Sequence, residues 1–326
     1  MTAPNLFYLT DFFGSGAAIV RPDKTVVVTT PLEAERAAEV GREVEVVVAK
    51  RGRDVPGVVM RHLEKEDALV DDDAQLRGAR RFKMRGDLFL EARRVKDGVE
   101  IGRIERASRG LDAIFETLPE HLRPGKSEWE VGAEVMKMAT EQELTPSGSD
   151  SALSPTIVAS GENGALPHSE LTTRRLRVGD FVVADVFFRF AGYNSDETRT
   201  FAVGTPTSEM RKNYAAVREA QESALEKARV GTVCEEVHED AVRVLRRHGV
   251  ARYLNHSVGH GVGIDIHELP SISKGSNTKL VKNDVITVEP GIYLPGRYGI
   301  RIEDTVKIGR KPVPMTKYTK DLVICG

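Results

Sequence analysis

Cysteine is nearly absent, with Cys234 and Cys325 the two in a chain of 326 residues. A pair 91 positions apart is no disulfide framework, and it makes a reducing cytoplasm the expected setting. A charge excess is missing too. Lysine and arginine number 47 against 49 acids, a formal net charge of −2. No basic surplus is left to neutralise phosphates, so nucleic acid is not an expected partner. Nor does any window approach the roughly 20 apolar residues of a membrane span. The first twenty residues contain Asp11, no basic cluster and no unbroken apolar run, so no signal peptide is expected. The basic pairs Arg80-Arg81, Arg174-Arg175 and Arg246-Arg247 are scattered and read as solvated surface.

What is present is ordinary globular material: 40% hydrophobic and 29% charged residues, with a mean hydropathy of −0.30. A chain of this length buries roughly 75% of its unfolded surface without a staple. At about 150 residues per domain, two domains are expected. Residues 1–98 read as one compact α/β unit. Ile19-Val20 and Val26-Val27-Val28 are strand-like, separated by the turn Arg21-Pro22-Asp23-Lys24. Pro31 opens a helix through Val40, Val44–Val48 is a further strand, and Val58-Val59-Met60 is a candidate third. Around Arg94–Gly98 the apolar pattern lapses, which puts the domain boundary there.

The remainder, 99–326, opens with a long helical pattern from Glu100 to Phe115 and then repeats itself. "RPGKSEWEVGAEVMKMA" from Arg123 aligns with "RVGTVCEEVHEDAVRVL" from Arg229, an offset of 106. Both combine a Gly-led turn with an amphipathic helix, marked by Val131, Val135 and Met138 in one and Val237, Ala241 and Val244 in the other. "VGDFVVADVF" from Val178 aligns with "KNDVITVEPG" from Lys282 at an offset of 104. The expected architecture is two similar α/β halves about a pseudo-twofold axis, in a mixed α/β (α+β) fold.

The duplication sets Asp185 opposite Glu289 and brings Asp196 near Glu303, each beside an apolar strand. Desolvation costs several kcal/mol per unpaired charge, so four such acids require partners. Private pairing with Arg199 or Arg301 is one answer, and shared divalent cations are the other. His256, His260 and His267 fall within twelve residues, among Gly259, Gly261 and Gly263, which permit close approach of a ligand or another backbone. One imidazole with four carboxylates is an oxygen-rich set suited to Mn²⁺ or a similar ion. Five ligands exceed what one catalytic metal with an open position uses, so two metals are expected.

These motifs, "DVFFRFAGYNSDETRTF", "HSVGHGVGIDIHELP", "VEPGIY" and "IRIED", preceded by Leu166-Pro167-His168, resemble those of the pita-bread metallopeptidases. That superfamily includes methionine aminopeptidase, prolidase, aminopeptidase P and creatinase. The N-terminal "NLFYLTDFFGSGAAIVRPDKTVVVTTPLEAERA" resembles the accessory domain of the creatinase and prolidase branch, so 1–98 would be that domain and 99–326 the catalytic one. The resemblance implies metal ligation by Asp185, Asp196, His260, Glu289 and Glu303, with Asp196 and Glu303 bridging. It implies two divalent ions, Mn²⁺ or Co²⁺ foremost and Zn²⁺ or Fe²⁺ as alternatives. His168, His256 and His267 match the non-ligand histidines of the cleft, and Thr200 and Thr287 would support the acids from behind. The implied reaction is hydrolysis of Xaa-Pro bonds, with Glu289 as proton shuttle and His168 and His267 at the oxyanion or the leaving nitrogen. His256 would border the prolyl pocket. A bond to proline suits a dedicated site because its nitrogen carries no N–H.

Within the superfamily, an accessory domain and the histidine at 256 argue against methionine aminopeptidase, and the full ligand set against creatinase. The short spacings from His260 to Glu289 to Glu303 are similar to those of prolidases, which act on Xaa-Pro dipeptides. Two positions depart from the pattern. Ser271 stands where prolidases commonly carry an arginine able to hold the dipeptide carboxylate bidentately. Lys274 is a nearby but less selective substitute. Val186 replaces a smaller neighbour of the first ligand, with no loss of metal expected. The alternatives are an aminopeptidase P-like enzyme on longer peptides with proline second, or a non-catalytic peptide-binding module. A cytoplasmic homodimer, with no membrane contact, is what the resemblance and composition together imply.

Overall fold

The structure is a computed structural model, and it describes residues 3–40, 44–63, 69–70, 83–85, 88–147, 154 and 156–326. The basic pair Arg80-Arg81 lies outside the described residues. Two compact units divide the chain, Met1–Arg93 and Arg94–Gly326.

In the first unit, strand Ala17–Val20 pairs antiparallel with Thr25–Thr29, and the turn between them closes through Arg21 N–H to Lys24 O at 2.8 Å. Pro31, whose fixed φ suits a first helical position, begins the helix Pro31–Val40. The chain returns as Val44–Val48, parallel to Thr25–Thr29. Val58-Val59-Met60 is not a strand. It lies in the helix Val55–His62, where Pro56 sits in the first turn and Val55, Val58 and Val59 are buried at helical spacing. Three β-branched or apolar residues are too few to reveal a period of two, and the longer i, i+3, i+4 pattern prevails.

The second unit opens with helix Gly98–Thr117, capped by Asp97, whose carboxylate accepts from the amides of Val99 and Glu100 while Glu100 accepts from that of Asp97. The repeated segments form equivalent elements. Helices Glu128–Glu141 and Cys234–Arg247 bury the expected apolar stripes, including Val131, Val135, Val237 and Ala241. Strand Phe181–Phe190 corresponds to Val285–Val288. Each pairs antiparallel with a later strand: Phe181–Phe190 with Tyr193–Val203, and Val285–Val288 with Asp304–Lys307. A two-stranded ribbon, Gly291–Leu294 with Tyr298–Arg301, follows in the second half. One apolar core packs around Val237, Val288 and Ile300, and another around Leu111, Val135 and Phe201. The result is a mixed α/β fold with an internal duplication. No helix among the described residues is long and apolar enough to cross a membrane. Arg174 is not the solvated residue its sequence context suggests. It forms a two-point pair with Asp180, Nη1 to Oδ2 at 2.6 Å and Nη2 to Oδ1 at 3.0 Å, while Arg175, Arg246 and Arg247 are exposed.

Candidate metal centre

Alternation along the strands aims the acids. Asp185 lies opposite Thr198 and Asp196 opposite Phe187, so both acids project from one face of the same strand pair. One hydroxyl pins Asp196 at both backbone groups: its N–H donates to Thr305 Oγ1 at 3.0 Å, and Thr305 Oγ1 donates to its carbonyl at 2.8 Å. The Glu303 N–H donates to the Thr198 carbonyl at 3.0 Å, and Thr198 Oγ1 donates to Glu303 Oε2 at 2.6 Å.

Glu289 follows directly on strand Val285–Val288, where Pro290 ends the pairing. Its N–H donates to the carbonyl of Val258, and the Thr287 N–H to that of His260, so the glycine-rich segment lies against this strand. Only glycine permits that approach. A Cβ on Gly259 would stand 2.1 Å from the carbonyl oxygen of Thr287, and one on Gly261 2.1 Å from that of Leu269. His260 is thereby delivered over the acids, its Nε2 3.3 Å from Glu289 Oε1 and 3.8 Å from Asp196 Oδ2.

Single ligand atoms of Asp196, His260 and Glu303 lie within 4.8 Å of one another. Asp185 Oδ1, Asp196 Oδ1 and Glu303 Oε1 are buried with no hydrogen-bond partner among the described residues. Arg301 answers one acid alone, with Nη2 2.6 Å from Asp185 Oδ2. Arg199 faces the other side of the strands, toward Glu197 and Asp304. Private pairing therefore fails for Asp196 and Glu303. Burial first, and then the neighbouring carboxylates, push both well above the usual carboxylate range. Burial also raises Glu289, but its hydrogen bond to His260 and that ring's charge outweigh it and bring the group down to about 2. The same bond carries His260 upward against its own burial. Converging, unpartnered oxygens with one imidazole nitrogen fit a divalent cation, and a hard one by donor type.

All five of these side chains line one cavity of about 240 Å³. His168, His256 and His267 line it too. The rings of His260 and His267 lie 4.3 Å apart, and desolvation, then the charge of His260, hold His267 down to about 4. His256 is held by Tyr293 Oη at 2.9 Å from Nε2 and by the Ser257 carbonyl at Nδ1. Ile157, Phe187 and Ile266 form an apolar wall.

Thr287 does support the acids, with its hydroxyl receiving the His260 N–H at 3.1 Å and standing 3.3 Å from Glu289 Oε1. Thr200 does not. It bonds both backbone groups of Arg301, and Thr198 takes the role expected of it. Ser271 and Lys274 are exposed and outside the cavity lining, with the Ser271 hydroxyl turned to that of Ser273. Sequence reasoning missed Tyr293 and saw Arg301 only as a neutralising partner. Arg301 also donates to Tyr293 Oη at 2.7 Å, linking Asp185 to His256. The signal was its position two residues before Glu303, at the end of strand Tyr298–Arg301.

Residues 102–310 match metallopeptidase family M24, and residues 1–97 match the creatinase/prolidase N-terminal domain. The Xaa-Pro dipeptidase of Pyrococcus furiosus is 34% identical over 329 residues, covering 98% of this chain and 92% of the relative. The solved Xaa-Pro dipeptidase from Bacillus anthracis superposes with a TM-score of 0.90 at 30% identity, covering 99% of this chain and 93% of the other. An X-Pro aminopeptidase from Thermotoga maritima gives 0.87 at 28% identity, covering 99% and 94%.

Proposed function

The chain belongs to metallopeptidase family M24, and from that premise we propose that it hydrolyses the Xaa-Pro bond of dipeptides. In this reading 99–326 is the catalytic domain and 1–98 its creatinase/prolidase-type accessory domain. One observation carries the reading: buried carboxylate oxygens of Asp196 and Glu303, without a hydrogen-bond partner among the described residues, converge with His260, and Asp185 lines the same cavity. Asp185, Asp196, His260, Glu289 and Glu303 would hold two divalent ions, Mn²⁺ or Co²⁺ foremost, with Zn²⁺ or Fe²⁺ as alternatives. Bound there, such ions supply Lewis acidity and an acidified water for attack on a peptide carbonyl.

The rest of the work falls to side chains. Glu289, held down to about 2, is ionised at neutral pH, as a metal ligand has to be, and in this reading it also serves as the proton shuttle. His267, held down to about 4, is neutral there and so offers one N–H and one lone pair. With His168 it would stabilise the oxyanion or protonate the leaving prolyl nitrogen. His256, fixed by Tyr293, borders a prolyl pocket whose apolar wall is Ile157, Phe187 and Ile266.

A second reading, an aminopeptidase P-like enzyme on longer peptides, is favoured by one feature. Among the described lining residues, Arg301 is the sole lysine or arginine, and it is engaged by Asp185 and Tyr293. Among those residues no uncommitted lysine or arginine is left for a dipeptide's free carboxylate, and Ser271 supplies none. Hydrolysis of Ala-Pro and Ala-Pro-Ala, compared with Mn²⁺, with Co²⁺ and with chelator, decides the matter. Metal-dependent release of proline from Ala-Pro alone supports the dipeptidase. Comparable rates on both substrates favour the aminopeptidase, in which case Ser271→Arg is expected to shift preference toward Ala-Pro. No metal-dependent cleavage of either leaves a peptide-binding module. The unpaired, buried Cys234 and Cys325 support a cytoplasmic setting, and we place the enzyme there as a homodimer, which light scattering tests.

A further inference from the structure

Glu128 is an expensive residue with no evident use in its own helix. The N-terminus of helix Glu128–Glu141 is already capped: Ser127 Oγ accepts from the Glu130 amide, and Glu130 Oε2 accepts from that of Ser127. Glu128 is nonetheless fully buried, and desolvating a carboxylate costs several kcal/mol. Among the described residues no cation forms an ion pair with it. The guanidinium of Arg174 is committed to Asp180, Glu162 and the Ser160 hydroxyl.

Its partners are neutral donors from one stretch of chain. Oε1 accepts from the Ser160 amide at 2.8 Å and the Ser160 hydroxyl at 2.7 Å. Oε2 accepts from the Thr172 amide at 3.2 Å and the Thr172 hydroxyl at 2.6 Å. Asn163 Nδ2 reaches both oxygens, at 3.1 and 3.0 Å. One carboxylate thus fastens both ends of the segment 160–172. Between those ends the chain has little regular structure beyond the single-turn helix Gly161–Ala165, and Leu166 is largely exposed. At its far side the segment carries Pro167 and His168 into the cavity wall. There a second tether appears: Arg301 Nη1 donates to the Pro167 carbonyl at 3.3 Å.

We propose that Glu128 is a positioning residue that fixes His168 against the metal centre by clamping both ends of the segment bearing it. The proposal rests on the reading of the cleft as an Xaa-Pro peptidase site. A misplacement of about 1 Å in a reacting group can cost about 100-fold in rate, which is the scale expected when the clamp is loosened.

The test pairs Glu128→Gln with His168→Ala, using the full chain loaded with Mn²⁺. Glu128→Gln puts an NH₂ against donors that need an acceptor, and Thr172→Val, which deletes one donor, serves if that variant does not fold. Hydrogen exchange of the metal-free protein is expected to quicken across 161–172 by about tenfold or more and to stay unchanged in 285–289. Bound Mn²⁺ per chain is expected to stay as in wild type. On Ala-Pro the loss is expected in kcat, by about 10- to 100-fold, with KM nearly constant. In the His168→Ala background Glu128→Gln is expected to add less than about twofold. Independent, multiplying losses, lost Mn²⁺, or unchanged exchange in 161–172 each overturn the proposal. A wild type that cleaves no Xaa-Pro peptide defeats the peptidase reading, and with it the role given to His168, while the exchange pattern still reports separately on the clamp.

Discussion

Asp196 and Glu197 are neighbours, as are Glu303 and Asp304, and all four carboxylates are buried. Strand alternation sends the first of each pair to one face and the second to the other. On the rear face the protein supplies its own cations. Arg199 Nη2 lies 2.9 Å from Glu197 Oε1 and 2.8 Å from Asp304 Oδ1, and Lys320 Nζ lies 2.6 Å from Asp304 Oδ2. Arg199 and Lys320 hold Asp304 below the usual range against its burial. On the front face, among the described residues, no lysine or arginine forms an ion pair with Asp196 or Glu303, and both are driven upward even with His260 Nε2 3.8 Å from Asp196 Oδ2. Glu197 is the intermediate case: neither of its oxygens has a hydrogen-bond partner among the described residues, burial wins over its share of Arg199, and its pKa is raised as well. The residue types and depths are the same on both sides. What differs is whether the counter-charge is built into the chain, and that separates a structural network from a candidate metal site.

Removing a front acid is the strongest way to break the comparison. Asp196→Asn is expected to abolish metal binding and to lower kcat/KM by about 1000-fold or more, since a metal contributes several kcal/mol of transition-state stabilisation. The metal-free variant is expected to melt no lower than wild type, because burial and the neighbouring carboxylates hold this acid above its ordinary range, a cost that a neutral amide does not carry. Retained Mn²⁺ by elemental analysis would remove Asp196 from the ligand set.

Breaking the rear face has the converse signature. Arg199→Met leaves Glu197 and Asp304 short of a buried partner, at about 3–5 kcal/mol. For a unit of this size that is roughly 6–20 °C in Tm. Metal stoichiometry of the folded fraction is expected to be unchanged. A fall in Tm below about 3 °C in calorimetry would show that Arg199 is not the rear counter-charge.

Proton competition sharpens the contrast further. With folded pKa values above their unfolded ones, Asp196 and Glu303 hold protons that the unfolded chain has released. By that linkage the metal-free protein loses stability as pH rises from the ordinary carboxylate range through the raised values. Metal must expel the same protons, so its apparent affinity rises with pH over that window. Glu289, at about 2, opposes this below its ordinary 4.5. At 100 times Kd, metal is expected to add about 2.7 kcal/mol, and titration calorimetry in buffers of different ionisation enthalpy reads the released protons. Affinity independent of pH would contradict the raised values.

The comparison also marks where sequence reasoning stops. The duplicated helices and strands were legible because amphipathic and buried runs recur at nearly one offset, and alternating glycines betrayed the close approach at Gly259 and Gly261. Which arginine meets which acid was not legible. Arg199 and Arg301 look equivalent in sequence, and only strand facing sends one to the rear and the other to Asp185. Val58-Val59-Met60 was too short to declare its period. Glu128 was invisible for another reason: an acid in a first helical turn is favourable even when solvated, so nothing local announces that this one turns inward.

The finest distinction lies within the front face, between Thr198 and Thr200. Both hydroxyls are buried two residues apart, yet Thr198 donates to Glu303 Oε2 at 2.6 Å whereas Thr200 spends both its bonds on the backbone of Arg301. Partners that orient a metal ligand are typically worth 10- to 100-fold in affinity. Thr198→Val is therefore expected to weaken Mn²⁺ binding by about tenfold and, because the Thr198 hydroxyl also accepts from Arg301 Nε at 3.1 Å, to cost about 1 kcal/mol of stability as well. Thr200→Val is expected to cost about 1 kcal/mol of stability and to leave Mn²⁺ affinity within about twofold. Equal losses of affinity in both variants would mean that the whole strand edge, rather than the hydroxyl on Glu303, sets the geometry of that ligand.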